Sequence, residues 1–280
     1  MTPLYVDAVG LSGPGMAAWQ DGAEVVASRK PFRPDDIAPC PSELLPANER
    51  RRVSPTVRLA LKVAEEALAQ SSLDMDGICS VFATCDGDTE IIDSICRALT
   101  LPGRPVSPTQ FHNSVHNAAV GYWSIATRSH AASNAISAFS YSAPMAFLEA
   151  AIQVTEEEIP VLLVTQEVAA PRAMLEACPA KQPFSAALLL APVDYCAQPI
   201  STLRFTTAAK SVNWPEFPEG LRDNLADNPG AGLLPLLAAV AEHDAARSGN
   251  GRKMDAPVNL SFPLSEDLCL NIELTHFPPA

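Results

Sequence analysis

One run, Ile159 followed by Val161, Leu162, Leu163 and Val164, constrains the fold more than any other part of the chain. A strand with one wet face alternates apolar and polar residues. This run is nearly continuous, so it reads as a strand buried on both faces and needs a covering layer on each side. Around it, short apolar runs alternate with segments of helical period. Strands are expected at residues 4–9, 78–84, 131–137, 184–191 and 200–206, and helices at 16–20, 54–71, 89–99, 114–126 and 142–155. This β-α-β-α order predicts an α/β fold, a mostly parallel sheet between helix layers. Ser54 is the expected cap of the second helix, with Pro55 at its first position. Val57, Leu61, Ala64 and Leu68 form its buried face, and Ile91, Ile92, Ile95 and Leu99 line one side of the next helix.

Composition narrows what such a fold can do. At 280 residues and 48 % hydrophobic, the chain can bury one substantial core with a small appendage. Its net charge of -13 disfavours nucleic acid and anionic membrane surfaces as partners. Residues 1–15 lack a basic start and a long apolar stretch, so no signal peptide is expected. The longest apolar stretch, 231–241, is too short to span a bilayer and contains Pro235. Seven scattered cysteines without paired short spacing point to reduced thiols and a cytoplasmic protein.

Several candidate sites weigh little. His112 and His116 stand at i, i+4 and would share one helix face, but no third ligand accompanies them, so no metal is expected. Neither Ser140 nor Ser142 sits in a Gly-x-Ser-x-Gly elbow. Asp86, Gly87 and Asp88 read as a turn rather than a calcium loop. Pro14 removes a donor from the 10–15 glycine loop, which weakens a dinucleotide reading, and no cofactor is expected. Trp19, Trp123 and Trp214 read as packing residues. Arg50, Arg51, Arg52, Arg58 and Lys62 form a basic cluster that reads as a solvated helix face. His243 is assigned to the exposed side of a helix at 232–247, and His276 to the tail.

The segment around residue 139 is more informative. Residues 131–137 are small and mostly apolar, as in a buried strand. Ser140 and Ser142 offer hydroxyl caps for the helix that follows through Met145, Phe147, Leu148 and Ile152. On residues alone, Phe139 reads as a core aromatic at a strand-helix junction. Three other blocks stand out: Leu45 to Arg52 followed by Ser54-Pro55; Ser107 to Trp123, including Asn113-Ser114-Val115-His116-Asn117; and Phe184 to Pro192. Together with residues 134–142 these resemble the N-terminal half of the β-ketoacyl synthase family, of thiolase fold. The resemblance covers roughly residues 3–192. It implies that Phe139 stands where the family keeps its nucleophilic cysteine, at a strand feeding a helix start whose field would lower a thiol pKa.

The resemblance has further implications. The family's second half supplies two catalytic histidines. Here residues 208–280 hold only a helix and a hairpin of 258–263 and 268–274, a remnant expected to pack on the 1–207 domain. The chain therefore resembles the short, chain-length-factor-type subunits encoded with aryl polyene pathways. That implies a non-catalytic partner forming a heterodimer with a full-length ketosynthase and shaping its acyl tunnel. Acyl carrier protein, itself acidic, would be met only through the complex. In the family, the segment matching Gln110, Phe111, His112, Asn113 and His116 reaches the partner's tunnel, and Ser133, Asn134, Ala135, Ile136 and Ser137 pair across a two-fold axis. A homodimeric acyl-binding scaffold, or an independent acyltransferase or thioesterase, are the other readings.

Overall fold

The computed structural model describes residues 2–35, 44–74, 77–196, 198–209, 216–217, 220–249 and 256–276. In chain order the elements are β1 (Leu4–Ser12), α1 (Trp19–Val26), α2 (Ala47–Arg50), α3 (Pro55–Gln70), β2 (Cys79–Ala83), α4 (Thr89–Thr100), α5 (Pro108–Asn113) and α6 (Ala118–Thr127). Then come β3 (Ser133–Ile136), α7 (Ser142–Glu156), β4 (Val161–Glu167), β5 (Phe184–Pro192), β6 (Ser201–Ala209), α8 (Arg222–Leu225), α9 (Leu234–Arg247), β7 (Val258–Pro263) and β8 (Leu268–His276).

The described strands form one sheet of order β3-β2-β4-β5-β1-β6-β8-β7. As the apolar run requires, β4 is buried along its whole length. On one face, α1, α7 and α9 bury Trp19, Phe147, Leu236 and Val240 against Leu163 and Leu188. On the other, α3 and α6 bury Leu61, Val63, Val120 and Trp123 against Leu162 and Leu189. Gly10 is required where α3 crosses β1, since a Cβ there would lie 2.0 Å from the Val63 carbonyl oxygen.

The layered α/β reading holds, but the strand directions differ from the expected mostly parallel sheet. Only β2–β3 and β2–β4 are parallel. The pairs β4–β5, β1–β5, β1–β6, β6–β8 and β7–β8 are antiparallel. The reason lies in the connections. Parallel neighbours need a crossover, and helices supply one from β2 to β3 and from β3 to β4. Between β4, β5 and β6 there are only loops and single 3-10 turns. The C-terminal hairpin forms at the expected residues and extends the same sheet through β8.

Local chemistry explains the helix starts. Ser54 Oγ accepts from Val57 N at 3.4 Å with Pro55 at the first position, as expected. Asp88 caps α4, accepting from Ile91 N at 3.0 Å and from Thr56 Oγ1 at 2.9 Å, so the Asp86-Gly87-Asp88 turn is a helix cap. The first helix starts at Trp19 rather than Met16, because residues 13–16 close a turn through Gly13 N–H to Met16 O and back. The helix expected at 114–126 begins only at Ala118, after turns at 114–117, and a separate short helix, α5, precedes those turns. No helix among the described residues is long and apolar enough to cross a membrane.

Candidate functional site

The parallel strands β2, β3 and β4 end together, and open α/β sheets present their sites at such carboxyl ends. Here β3 turns directly into α7 through residues 137–141. Phe139, at the apex, has φ of 50°, in the left-handed region that a bulky residue rarely adopts. Its ring is 82 % exposed, so Phe139 is not the core aromatic that a strand-helix junction suggested. Ser142 locks the turn: its hydroxyl accepts from Ala138 N at 2.9 Å and donates to Phe139 O at 2.7 Å. That use of the hydroxyl explains why neither Ser140 nor Ser142 caps α7, whose cap residue is Tyr141.

Beneath the elbow, Ser137 Oγ donates to Cys85 O at 3.0 Å. Cys85 N–H in turn donates to Glu167 Oε1, which also accepts from Thr84 Oγ1 at 2.9 Å. Glu167 ends the buried strand β4, and burial pushes its carboxyl pKa up to about 8. Burial and the Asp86 carboxylate, 3.2 Å from Cys85 Sγ, push that thiol well above the ordinary range. Held protonated, the Cys85 thiol is a poor nucleophile. Glu167 is the one ionisable residue of a strand whose other polar members are Thr165 and Gln166, and that was the signal for it in the sequence.

The remaining sequence candidates fall in two places, on β3 itself and in the α5 region. β3 pairs only with β2 among the described strands, and it is an exposed to half-buried edge, not the buried strand its small residues implied. Ser133, Asn134, Ala135 and Ile136 form it, with Asn134 Nδ2 donating to Glu149 at 3.0 Å. In α5, Gln110 Nε2 donates to Ser94 Oγ at 3.0 Å and buried Asn113 Nδ2 to Arg52 O at 2.6 Å. Phe111 is 67 % exposed. The break after α5 separates the two histidines: His112 meets Tyr122 edge-on, whereas His116 Nε2 donates to Thr84 O at 2.8 Å. They do not share a helix face, and no three described His, Cys, Asp or Glu side chains gather as a metal site.

This architecture has a known counterpart. The family described as Beta-ketoacyl synthase, N-terminal domain, matches residues 19–225. The chain belongs to the β-ketoacyl synthase family. No curated protein sequence matches the chain. Among solved structures, this family member is similar to one of a ketosynthase (ApeO) in complex with its chain length factor (ApeC) from Xenorhabdus doucetiae. Identity is 20 % and the TM-score 0.66, over 98 % of this chain and 100 % of that one. The ishigamide ketosynthase/chain length factor is similar at 13 % identity, with a TM-score of 0.72 over 99 % and 100 % of the two chains. A type II polyketide acyl-carrier protein complex with its hexaketide-bound ketosynthase (AntDE:AntF) is similar at 14 % identity. Its TM-score is 0.75, over 99 % of each chain. At such identities the likeness establishes the thiolase-like ketosynthase fold.

In this ketosynthase relative, a cleft of about 280 Å3 opens beside the elbow, lined by Ser140, Tyr141, Pro144, Phe217, Pro235 and Phe262. Its walls are mostly apolar. The two late histidines lie elsewhere. His243 is fully buried rather than exposed, and His276 ends β8 rather than lying in a tail. Their rings meet edge-on with centroids 5.5 Å apart, and Ser201 Oγ is 2.8 Å from His243 Nδ1. Pro235 lines the cleft, and His243 lies eight residues further along α9, about 12 Å at 1.5 Å per residue. Desolvation, with a smaller contribution from His276, lowers the His243 pKa to about 4. Spacing could have revealed this: Leu236, Val240 and His243 follow a three-to-four residue stripe. Trp19 and Trp123 pack in the core as expected, while Trp214 lies outside the described residues.

Proposed function

We propose that this chain is a non-catalytic, chain-length-factor-type subunit that forms a heterodimer with an active ketosynthase and shapes its acyl tunnel. The observation that carries the reading is Phe139. In a member of this family, the residue at the strand-to-helix elbow is a phenyl ring, which has no lone pair to attack a thioester. The neighbouring thiol is held protonated, and the late histidines stand away from the cleft. The unpaired β3 edge supports a partner, since an open edge invites strand pairing and is normally covered. Solved ketosynthase/chain length factor assemblies among the similar structures support the kind of partner.

In this reading Ser133 to Ser137 pair with the partner's equivalent strand, and Gln110, Phe111, His112, Asn113 and His116 approach its tunnel. Phe111, bulky and exposed, acts as a steric stop. Acyl carrier protein reaches the complex through the ketosynthase. The test is co-expression with the ketosynthase from the same gene neighbourhood, followed by size exclusion and condensation assays. The expected result is a stable 1:1 complex that condenses malonyl carrier substrates, while the isolated chain neither condenses nor decarboxylates them. Phe111→Ala in the active complex should lengthen the products. Condensation by the chain alone would overturn the reading.

A further inference from the structure

We infer that Phe139 is more than the scar of a lost nucleophile: it is the aromatic anchor by which this subunit holds its partner, inserting into an apolar pocket rimmed by acidic residues. The inference rests on the heterodimer reading above and gives that interface a centre and a charge pattern.

Two costs converge on one side chain. A non-glycine residue at φ of 50° is strained, and a phenyl ring that is 82 % exposed gains nothing from burial. The turn is nevertheless locked around it by both hydrogen bonds of the Ser142 hydroxyl. Glycine would adopt this backbone without strain. A locked, strained turn that lifts an aromatic ring off the surface gains free energy only when another molecule buries the ring. Phe139 follows the edge strand β3 by three residues, and Phe111, Val115 and Ile125 are exposed too.

The charge pattern identifies the occupant. The chain carries 32 acidic residues, yet residues 94–148 contain none. That stretch holds Arg97, Arg104 and Arg128 together with His112, His116 and His130. It also supplies Leu99, Leu101, Phe111, Val115, Ile125 and Phe139, which are among the exposed large hydrophobics. Asp93, which pairs with Arg97, and Glu149, beside Asn134, flank the stretch, so residues 93–149 carry three arginines against two acids in a chain of net charge -13, and that local excess of positive charge suits a partner that brings acids. A second copy of this chain would present the same excess of arginines across a two-fold axis, with Asp93 already held by Arg97, and so would match it less well. The fit is therefore to the ketosynthase rather than to self-association.

The experiment compares wild type, Phe139→Ala and Phe139→Gly as purified subunits, measuring Tm alone and Kd for the co-encoded ketosynthase. Both variants should bind more than about thirtyfold more weakly, the loss typical of a central aromatic anchor. Phe139→Gly alone should keep or raise the Tm, because it removes the strain, so its weaker binding is not a folding defect. Wild-type complex formation with both variants binding within about threefold of it would overturn the anchor and leave the heterodimer standing. Absence of a wild-type complex would overturn both. A wild-type homodimer dissolved by Phe139→Gly would reassign the anchor to a second copy.

Discussion

The helices α4 and α9 have similar apolar content and opposite fates. In α9, eight residues are buried, among them Leu234, Leu236, Leu237, Val240 and His243, because α1, β6 and the C-terminal hairpin close over them. In α4, only Thr89 and Ile91 are buried, and Leu99 is 50 % exposed. The expected apolar side exists, but its cover among the described residues thins along the helix: Ile91 is buried, Ile92 and Ile95 are half-buried, and Leu99 is exposed. The molecule finishes its own core where the hairpin lies and leaves the β3 end open. An amphipathic stripe thus specifies that a helix will be covered, not by what.

The sharpest way to break this comparison is to truncate one leucine in each helix. Leu236→Ala should cost about 4 kcal/mol of unfolding free energy, from lost burial plus a cavity. Urea unfolding of the isolated chain measures this directly. A cost under about 1 kcal/mol would mean that the α9 corner is not the finished core described above.

Glu167 and His243 are both buried, and they bend stability with pH in opposite directions. Glu167, under the elbow, has its pKa raised to about 8. Its contribution is fully present below the unfolded value near 4.5 and is lost as pH rises through 8. Glu167→Gln should therefore stabilise the chain by up to about 5 kcal/mol at pH 9 and little at pH 4.5. Paired thermal melts at the two pH values check this, and equal shifts at both would refute the assignment.

His243, in the closed corner, has its pKa lowered to about 4. The unfolded chain takes up the proton first, so stability falls as pH drops from about 6.5 towards 4. The full swing is about 3 kcal/mol. His243→Leu should flatten this limb of the stability-pH curve, whatever it costs at neutral pH through the stranded Ser201 hydroxyl. An unchanged slope would show that another group titrates there.

The smallest effect completes the contrast. Leu99→Ala should change the stability of the isolated chain by less than about 0.5 kcal/mol, since half of the side chain already faces water. The same variant in the complex should destabilise the assembly measurably if the open end is an interface. No effect in either state would return Leu99 to an ordinary surface residue.

The sequence by itself determined the two covering layers, because the unbroken run of β4 allowed no wet face. It determined α3 to within a residue, because Ser54 and Pro55 satisfy and terminate the backbone locally, and it determined the hairpin, whose pairing is short-range. Four blocks of residues carried the family resemblance. Strand direction was decided only in the tertiary structure, since it depends on whether a connection packs as a crossover. The meeting of the two late histidines was decided there too: His243 and His276 are far apart in sequence and meet only when β8 pairs with β6 beside α9. The exposure of Phe139 was likewise illegible. Composition makes a phenylalanine a core residue by default, and only the left-handed turn held by Ser142 lifts this one into the open.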